Sequence, residues 1–305
     1  MFTIKCSQHN KEALLGLLRS IIKPPILIFR SDKHNPSTYI MAISHTIPAQ
    51  AIHADYSLFE KREYIKGKYI LPYRILWPEN MDNRKQYPLF LYLHGMGQGG
   101  RDNEKQLHHR ADLFLEPENR TKYPCIVLFP QVPFGRGFIH LIKNGRPTLL
   151  SRLRKFADRE ENCDEMGMIL SPYGVMLYEL IEQLISSNVV DANRIYLSGS
   201  SMGAFSVFEF ITEYPDVFAA AAPMSGGAVL ATMGKWAGKV PVWIMHGDAD
   251  PVISIASSRV VVAELKRRGI TNFRYSEFKG VKHHSWEKAF AEPDFLEWFF
   301  SKSKK

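Results

Sequence analysis

The chain has 305 residues, 45% of them hydrophobic and 12% aromatic, enough to bury one large core or a core with a small appendage. Charged residues make up 23%, which excludes wholesale disorder. The net charge of +8 is dispersed and accompanies no nucleic-acid-binding motif, so no nucleic-acid partner is expected.

The first 55 residues follow no regular pattern. "ALLGLLRSII" (13–22) is the longest near-apolar run, but Arg19 breaks it and Pro24-Pro25 follow. It falls short of the roughly 20 apolar residues of a membrane span, so none is expected, and it makes a poor secretory signal. "IPAQAIHADYS" (47–57) carries an Ala-x-Ala step at Ala49 and Ala51, without a convincing apolar stretch ahead of it. Residues 1–55 are therefore read as an extension of unknown role, compatible with an eroded leader, and residues 56–305 as the catalytic domain. Cys6, Cys125 and Cys163 have neither CxxC nor metal-type spacing. A disulfide framework is not indicated, and the redox compartment stays open.

Beyond residue 60, apolar runs alternate with helical patterns. Strands are expected at 69–77, 89–93, 125–129, 194–198, 219–225, 240–245 and 273–278. Helices are expected at 171–188, opened by Ser171 and Pro172, at 203–215, stopped by Pro215, and at 254–269, ended by basic residues and Gly269. This order predicts an α/β fold: a mainly parallel sheet with helices on both faces and a site at the carboxyl ends of the strands. The basic run "KNGRPTLLSRLRKF" (143–156) is offset by "DREENCDE" (158–165), and the closing "SKSKK" reads as a solvated tail.

The strand ends carry the chemistry. "LFLYL" (89–93) leads into His94-Gly95-Met96-Gly97-Gln98-Gly99-Gly100, whose glycines let backbone N–H groups face a ligand. Acyl transfer needs such donors for its oxyanion, and losing one costs about 10²–10³ in rate. The N–H of Met96 is the candidate here. "RIYLS" (194–198) leads into Gly199-Ser200-Ser201-Met202-Gly203, a G-x-S-x-G turn between strand and helix. It lifts Ser201 as nucleophile and offers the Met202 N–H as the second oxyanion donor. Ser198 should be bound within the sheet, and Ser200 fills the variable position.

"VPVWIM" (240–245) leads into His246-Gly247-Asp248-Ala249-Asp250. Asp250 has the better reach for a base-orienting carboxylate. Asp248 is expected to bond its own backbone in the turn, and His246 to be a packed structural histidine. "KGVKHHSW" (279–286) follows the last strand, and the residues alone leave His283 and His284 equally placed as general base. A metal pair there is disfavoured for want of matching ligands. "LHHR" (107–110) is assigned no catalytic role.

In that order, "LYLHGMGQGGRDNEKQL", "YLSGSSMGAFSVFEF", "VWIMHGDADPVI" and "KHHSWEKAFAEPDFLEWFF" resemble the α/β-hydrolase serine esterases related to polyhydroxybutyrate depolymerases, feruloyl and acetyl-xylan esterases and prolyl-oligopeptidase-like hydrolases, including members described as predicted peptidases or phospholipase/carboxylesterases. The resemblance covers about residues 56–302. It implies Asp250 as the acid of an H-G-x-x-D pattern and His283 as the base opening an H-x-S-W pattern. It also implies a cofactor-free ester hydrolase acting on a small-molecule or polysaccharide-linked ester. A peptidase is the alternative, and a non-catalytic binding protein the remaining one. Secretion fits the resemblance and the weak leader does not, so the compartment stays open, as does the oligomeric state. The chain departs from the pattern at Ala204, where relatives often carry glycine. It departs again over 133–172, a segment expected to overhang the site and shape its pocket.

Overall fold

The computed structural model describes residues 55–143, 146–148 and 166–304, together with three strand segments nearer the N-terminus. The chain divides into two compact units, Met1–Asp55 and Tyr56–Lys305. In the first, β1 (Thr3–Ser7), β2 (Ile28–Asp32) and β3 (Asn35–Ala42) form an antiparallel sheet in the order β1-β3-β2. The candidate leader features at 13–22 and 47–54 lie outside the described residues.

The second unit is built on eight strands: β4 (Glu60–Lys66), β5 (Tyr69–Leu76), β6 (Tyr87–Leu93), β7 (Ile126–Pro130), β11 (Val190–Ser200), β12 (Ala220–Met224), β13 (Val242–Gly247) and β14 (Phe273–Phe278). Their order is β14-β13-β12-β11-β6-β7-β5-β4. From β14 to β7 every neighbouring pair is parallel, and β5 and β4 close the sheet antiparallel. β4, "EKREYIK", is not foreseen in the sequence, because its charges mask the strand. They are tolerable there since it is an edge strand with mostly exposed side chains.

Unbroken apolar runs form the central strands because both faces are covered. On β6, Leu89, Leu91 and Leu93 enter one core, with Ile195 and Leu197 of β11 and Val242 and Ile244 of β13. Phe90 and Tyr92 enter the opposite core, with Tyr196 and with Trp243 and Met245. This period-2 division follows from strand geometry. The first face is covered by α2 (Pro172–Ser186), α3 (Met202–Glu213) and α4 (Ala256–Arg267), through residues such as Leu177, Phe208 and Val261. The second is covered by the 3-10 turns Lys105–His108 and Ala111–Phe114, then α5 (Trp286–Ala289) and α6 (Phe295–Phe300). A further short helix, α1 (Pro117–Lys122), precedes β7. Ser171 caps α2, its hydroxyl accepting from the N–H groups of Tyr173 at 3.1 Å and Gly174 at 3.2 Å, and Pro172 fills the first turn.

The divergent segment carries β8 (Ile139–Lys143), β9 (Arg146–Thr148) and β10 (Met166–Leu170), an antiparallel sheet ordered β10-β8-β9. Phe138, Ile139, Leu141 and Met168 are buried in the first core, which ties this sheet to the main body. Residues 149–165, including the acidic run, lie outside the described residues. Cys125 is a buried free thiol whose pKa burial pushes up to about 12, which leaves it unreactive; Cys6 and Cys163 are not among the side chains described.

Candidate active site

The strand–turn–helix at 199–203 is held by close backbone approach. Ser201 adopts φ 54° and ψ −117°, a strained conformation for a serine. Its N–H donates to the Met224 carbonyl of β12 at 2.9 Å, fixing the apex against the sheet. A Cβ on Gly203 would stand 1.9 Å from the Leu93 carbonyl oxygen, and one on Gly199 2.8 Å from the Gly203 carbonyl oxygen, so only glycine fits at either position. Ala204 is accommodated from outside the turn: Gly226 faces it, where a Cβ would lie 2.5 Å from the Ala204 methyl. The three serines separate as the turn requires. Ser198 donates to the Ala222 carbonyl at 2.9 Å within the sheet, and Ser200 is buried below the turn.

His283 Nε2 lies 2.9 Å from Ser201 Oγ, and His283 Nδ1 lies 2.7 Å from Asp250 Oδ2. With the carboxylate accepting from Nδ1–H, Nε2 is free to accept the serine proton, a tautomer assigned from this network. Burial alone would raise the Asp250 pKa. Hydrogen bonds from His246, His283 and the N–H groups of Ile253 and Val252 outweigh it and hold the carboxyl well below the usual range. The backbone pair donates to Oδ1 at 3.0 and 2.8 Å. Asp250, rather than Asp248, is thus the residue that bonds its own turn. Asp248 Oδ1 instead accepts from the Gly280 N–H and tethers the loop that carries His283.

The two loops meet closely. A Cβ on Gly95 would lie 3.6 Å from Ser201 Cβ, which sets the Met96 turn against the serine. Met96 and Met202 each open a helical turn, at Met96–Gln98 and at α3, and first-turn N–H groups have no acceptor in their own helix. The loop is braced from below. His94 is buried, its pKa lowered to about 4 by burial, with Nδ1 2.6 Å from the Gly95 carbonyl and Nε2 accepting from the Val132 N–H at 3.1 Å. Gln131 donates to the Gln98 carbonyl and to Asp102, each at 3.0 Å.

Four features escape the sequence reading. His246 reaches Asp250 as well as packing, with Nε2 3.3 Å from Oδ2. His109 of "LHHR" is buried below the turn, with Nδ1 3.3 Å from Ser200 Oγ and 3.5 Å from Tyr92 Oη; burial lowers its pKa to about 3. Its ring stacks on Trp286 at 4.6 Å, and Trp286 meets the His283 ring edge-on at 5.6 Å. Ser225, at φ 54°, pairs with buried Ser285 at 2.7 Å and holds the turn that carries His283 to the end of β12. No spacing rule links His109 or Ser225 to the site in sequence; His246 opens the H-G-x-x-D pattern, and Ser285 and Trp286 close the H-x-S-W pattern, without either pattern stating the contacts they make.

A sheet parallel over six strands, a serine on a strained turn after β11, a carboxylate after β13 and a histidine after β14 define one architecture. The chain is an α/β-hydrolase by fold. A sequence profile described as phospholipase/carboxylesterase matches residues 159–297, which contain Ser201, Asp250 and His283. Poly(3-hydroxyalkanoate) depolymerase C of Paucimonas lemoignei is 39% identical over 68 residues, 22% of this chain and 16% of that protein. The bifunctional acetylxylan esterase/xylanase XynS20E of Neocallimastix patriciarum is 33% identical over 76 residues, 25% of this chain and 11% of that protein. A thermostable esterase of known structure superposes with TM-score 0.68 at 29% identity, over 81% of this chain and 64% of its own. The α/β-hydrolase thus spans only a small part of the two sequence relatives and under two thirds of the esterase. Among its described residues no helix is long and apolar enough to cross a membrane.

Proposed function

We propose that this α/β-hydrolase is a serine carboxylic-ester hydrolase. The observation that carries the reading is the unbroken relay Ser201 Oγ–His283 Nε2 at 2.9 Å and His283 Nδ1–Asp250 Oδ2 at 2.7 Å. His283 takes the hydroxyl proton as Ser201 Oγ attacks the ester carbonyl. The N–H groups of Met96 and Met202 receive the oxyanion. His283 returns the proton to the departing alkoxide, leaving an acyl-serine. Water then gives its proton to His283 and attacks the acyl carbonyl; as the acyl–Oγ bond breaks, His283 passes that proton to Ser201 Oγ, the acid leaves and the serine hydroxyl is restored. Asp250 keeps the imidazole in the Nδ1–H tautomer and supports its charge throughout. The depolymerase, acetylxylan esterase and thermostable esterase relatives support an ester, with a small-molecule or polysaccharide-linked alcohol, as the substrate.

The test is hydrolysis of p-nitrophenyl esters from acetyl upward beside matched aminoacyl amides. Wild-type protein is expected to turn over esters faster than amides, and S201A to lose about 10⁴-fold or more in kcat. Equal turnover by S201A removes the mechanism, and faster amide cleavage makes the protein a peptidase.

A further inference from the structure

The Asp250 carboxylate accepts from two backbone N–H groups at Oδ1 and from His283 at Oδ2, and His246 Nε2 approaches the same Oδ2 to 3.3 Å. His246 Nε2 faces two acceptors, Asp250 Oδ2 at 3.3 Å and the Ile253 carbonyl at 3.1 Å, and neither of them can donate. Nε2 therefore carries the hydrogen. Ser258 Oγ lies 2.7 Å from Nδ1 and 3.0 Å from the Gly226 carbonyl; with Nε2 carrying the hydrogen of a neutral imidazole, Nδ1 is the acceptor of the shorter contact, and Ser257 also donates to the Gly226 carbonyl at 3.0 Å. Both the His246 and Asp250 side chains are 0% exposed, so this bond is made without competition from water. Among the described residues, Glu277, the register partner of His246 on β14, is a further ionisable group beside it, and its carboxylate is taken up by Arg259 at 2.8 Å and Tyr275 at 2.8 Å.

From this geometry we infer that His246 is a positioning residue for the acid–base pair. It fixes Oδ2 of Asp250 in line with His283 and draws off part of the carboxylate charge that His283 experiences. The inference rests on the hydrolase reading of Asp250. Two consequences follow from removing the N–H. Asp250 loses an orienting bond, which lowers kcat. The base also sees a fuller negative charge, which favours its protonated form and moves the acid limb of the pH–rate profile upward.

The decisive comparison is wild type, H246L and H246Q with a short p-nitrophenyl ester across pH. In H246L, kcat is expected to fall roughly tenfold or more, the size of one hydrogen bond to a charged group, with KM within about twofold. The acid limb of kcat/KM moves to higher pH by about half a unit or more. In H246Q, whose amide places an N–H where Nε2 stood, most of both changes is recovered. A fall in Tm with kcat and the limb unmoved overturns the inference, as does an H246Q that behaves like H246L. Should H246L not fold, S258A, which releases Nδ1, moves kcat and the limb in the same directions by less; no movement overturns the inference. A wild type that neither turns over esters nor reacts with a fluorophosphonate refutes the hydrolase reading separately. The His246 bond is then read from the imidazole ¹⁵N spectrum: a proton on Nε2 that shifts in D250N upholds it, and a proton on Nδ1 overturns it.

Discussion

His283 and His284 are adjacent, yet only His283 meets Ser201. His283 Nε2 stands 2.9 Å from Ser201 Oγ, while the His284 ring is exposed and leans on Trp286 at 4.8 Å. H283A is expected to lose about 10³-fold or more in kcat. H284A should stay within about threefold, the ordinary scale of a surface change. A reversal in ester kinetics would exchange their roles. The turn that carries Ser201 could be read from the chain because the glycine spacing states a backbone requirement, and Asp250, which the bare sequence ranked above Asp248, is the carboxylate that meets His283. It left His283 and His284 level, since neighbouring side chains diverge in ways no spacing encodes. For His246 and His109, hydrogen bonds formed across 12 and 91 residues are invisible before folding.

At the scale of elements, the strands were legible wherever both faces are buried, as in "LFLYL" and "VPVWIM". The edge strand β4 was not, because solvent exposure lets charge replace apolar patterning. Helix α3 carries a cost of its position. Glu209 is nearly buried, and burial, with the Glu213 charge adding, pushes its pKa from 4.5 up to about 8. The folded chain thus binds a proton at Glu209 that the unfolded chain has released between those values, and folding stability falls as pH rises from about 4.5 towards about 8. E209Q removes the titration. Its Tm is expected to exceed that of the wild type at pH 8–9, with the difference shrinking below pH 5. A Tm difference independent of pH would contradict this. The turn before α3 is less forgiving. In G203A the new methyl meets the Leu93 carbonyl, so the protein is expected to lose both ester turnover and several degrees of Tm; wild-type values in both would show that the turn can relax.

Across the whole molecule, every residue placed in the site belongs to the unit Tyr56–Lys305. A chain beginning at Asp55 retains buried Phe59 and the Arg74 bonds to the Tyr56 and Phe59 carbonyls, and is expected to hydrolyse esters with kcat within about threefold of the full chain. A folded but inactive product would assign residues 1–55 a catalytic contribution. The α/β class could be read from the alternation of strands and helices. The role of 1–55 could not, since no periodicity there reports a face to bury. The strands β8–β10 within 133–172 were equally silent, because they form a separate antiparallel sheet outside the strand–helix alternation of the main one.

In the proposed hydrolase one activated serine, Ser201, performs the chemistry. This is tested most directly by reacting the folded protein with a fluorophosphonate and locating the adduct by peptide mass spectrometry. A single stoichiometric phosphonyl group is expected on Ser201, absent from S201A and strongly slowed in H283A. An adduct on any other residue, or equal labelling of S201A, would contradict it.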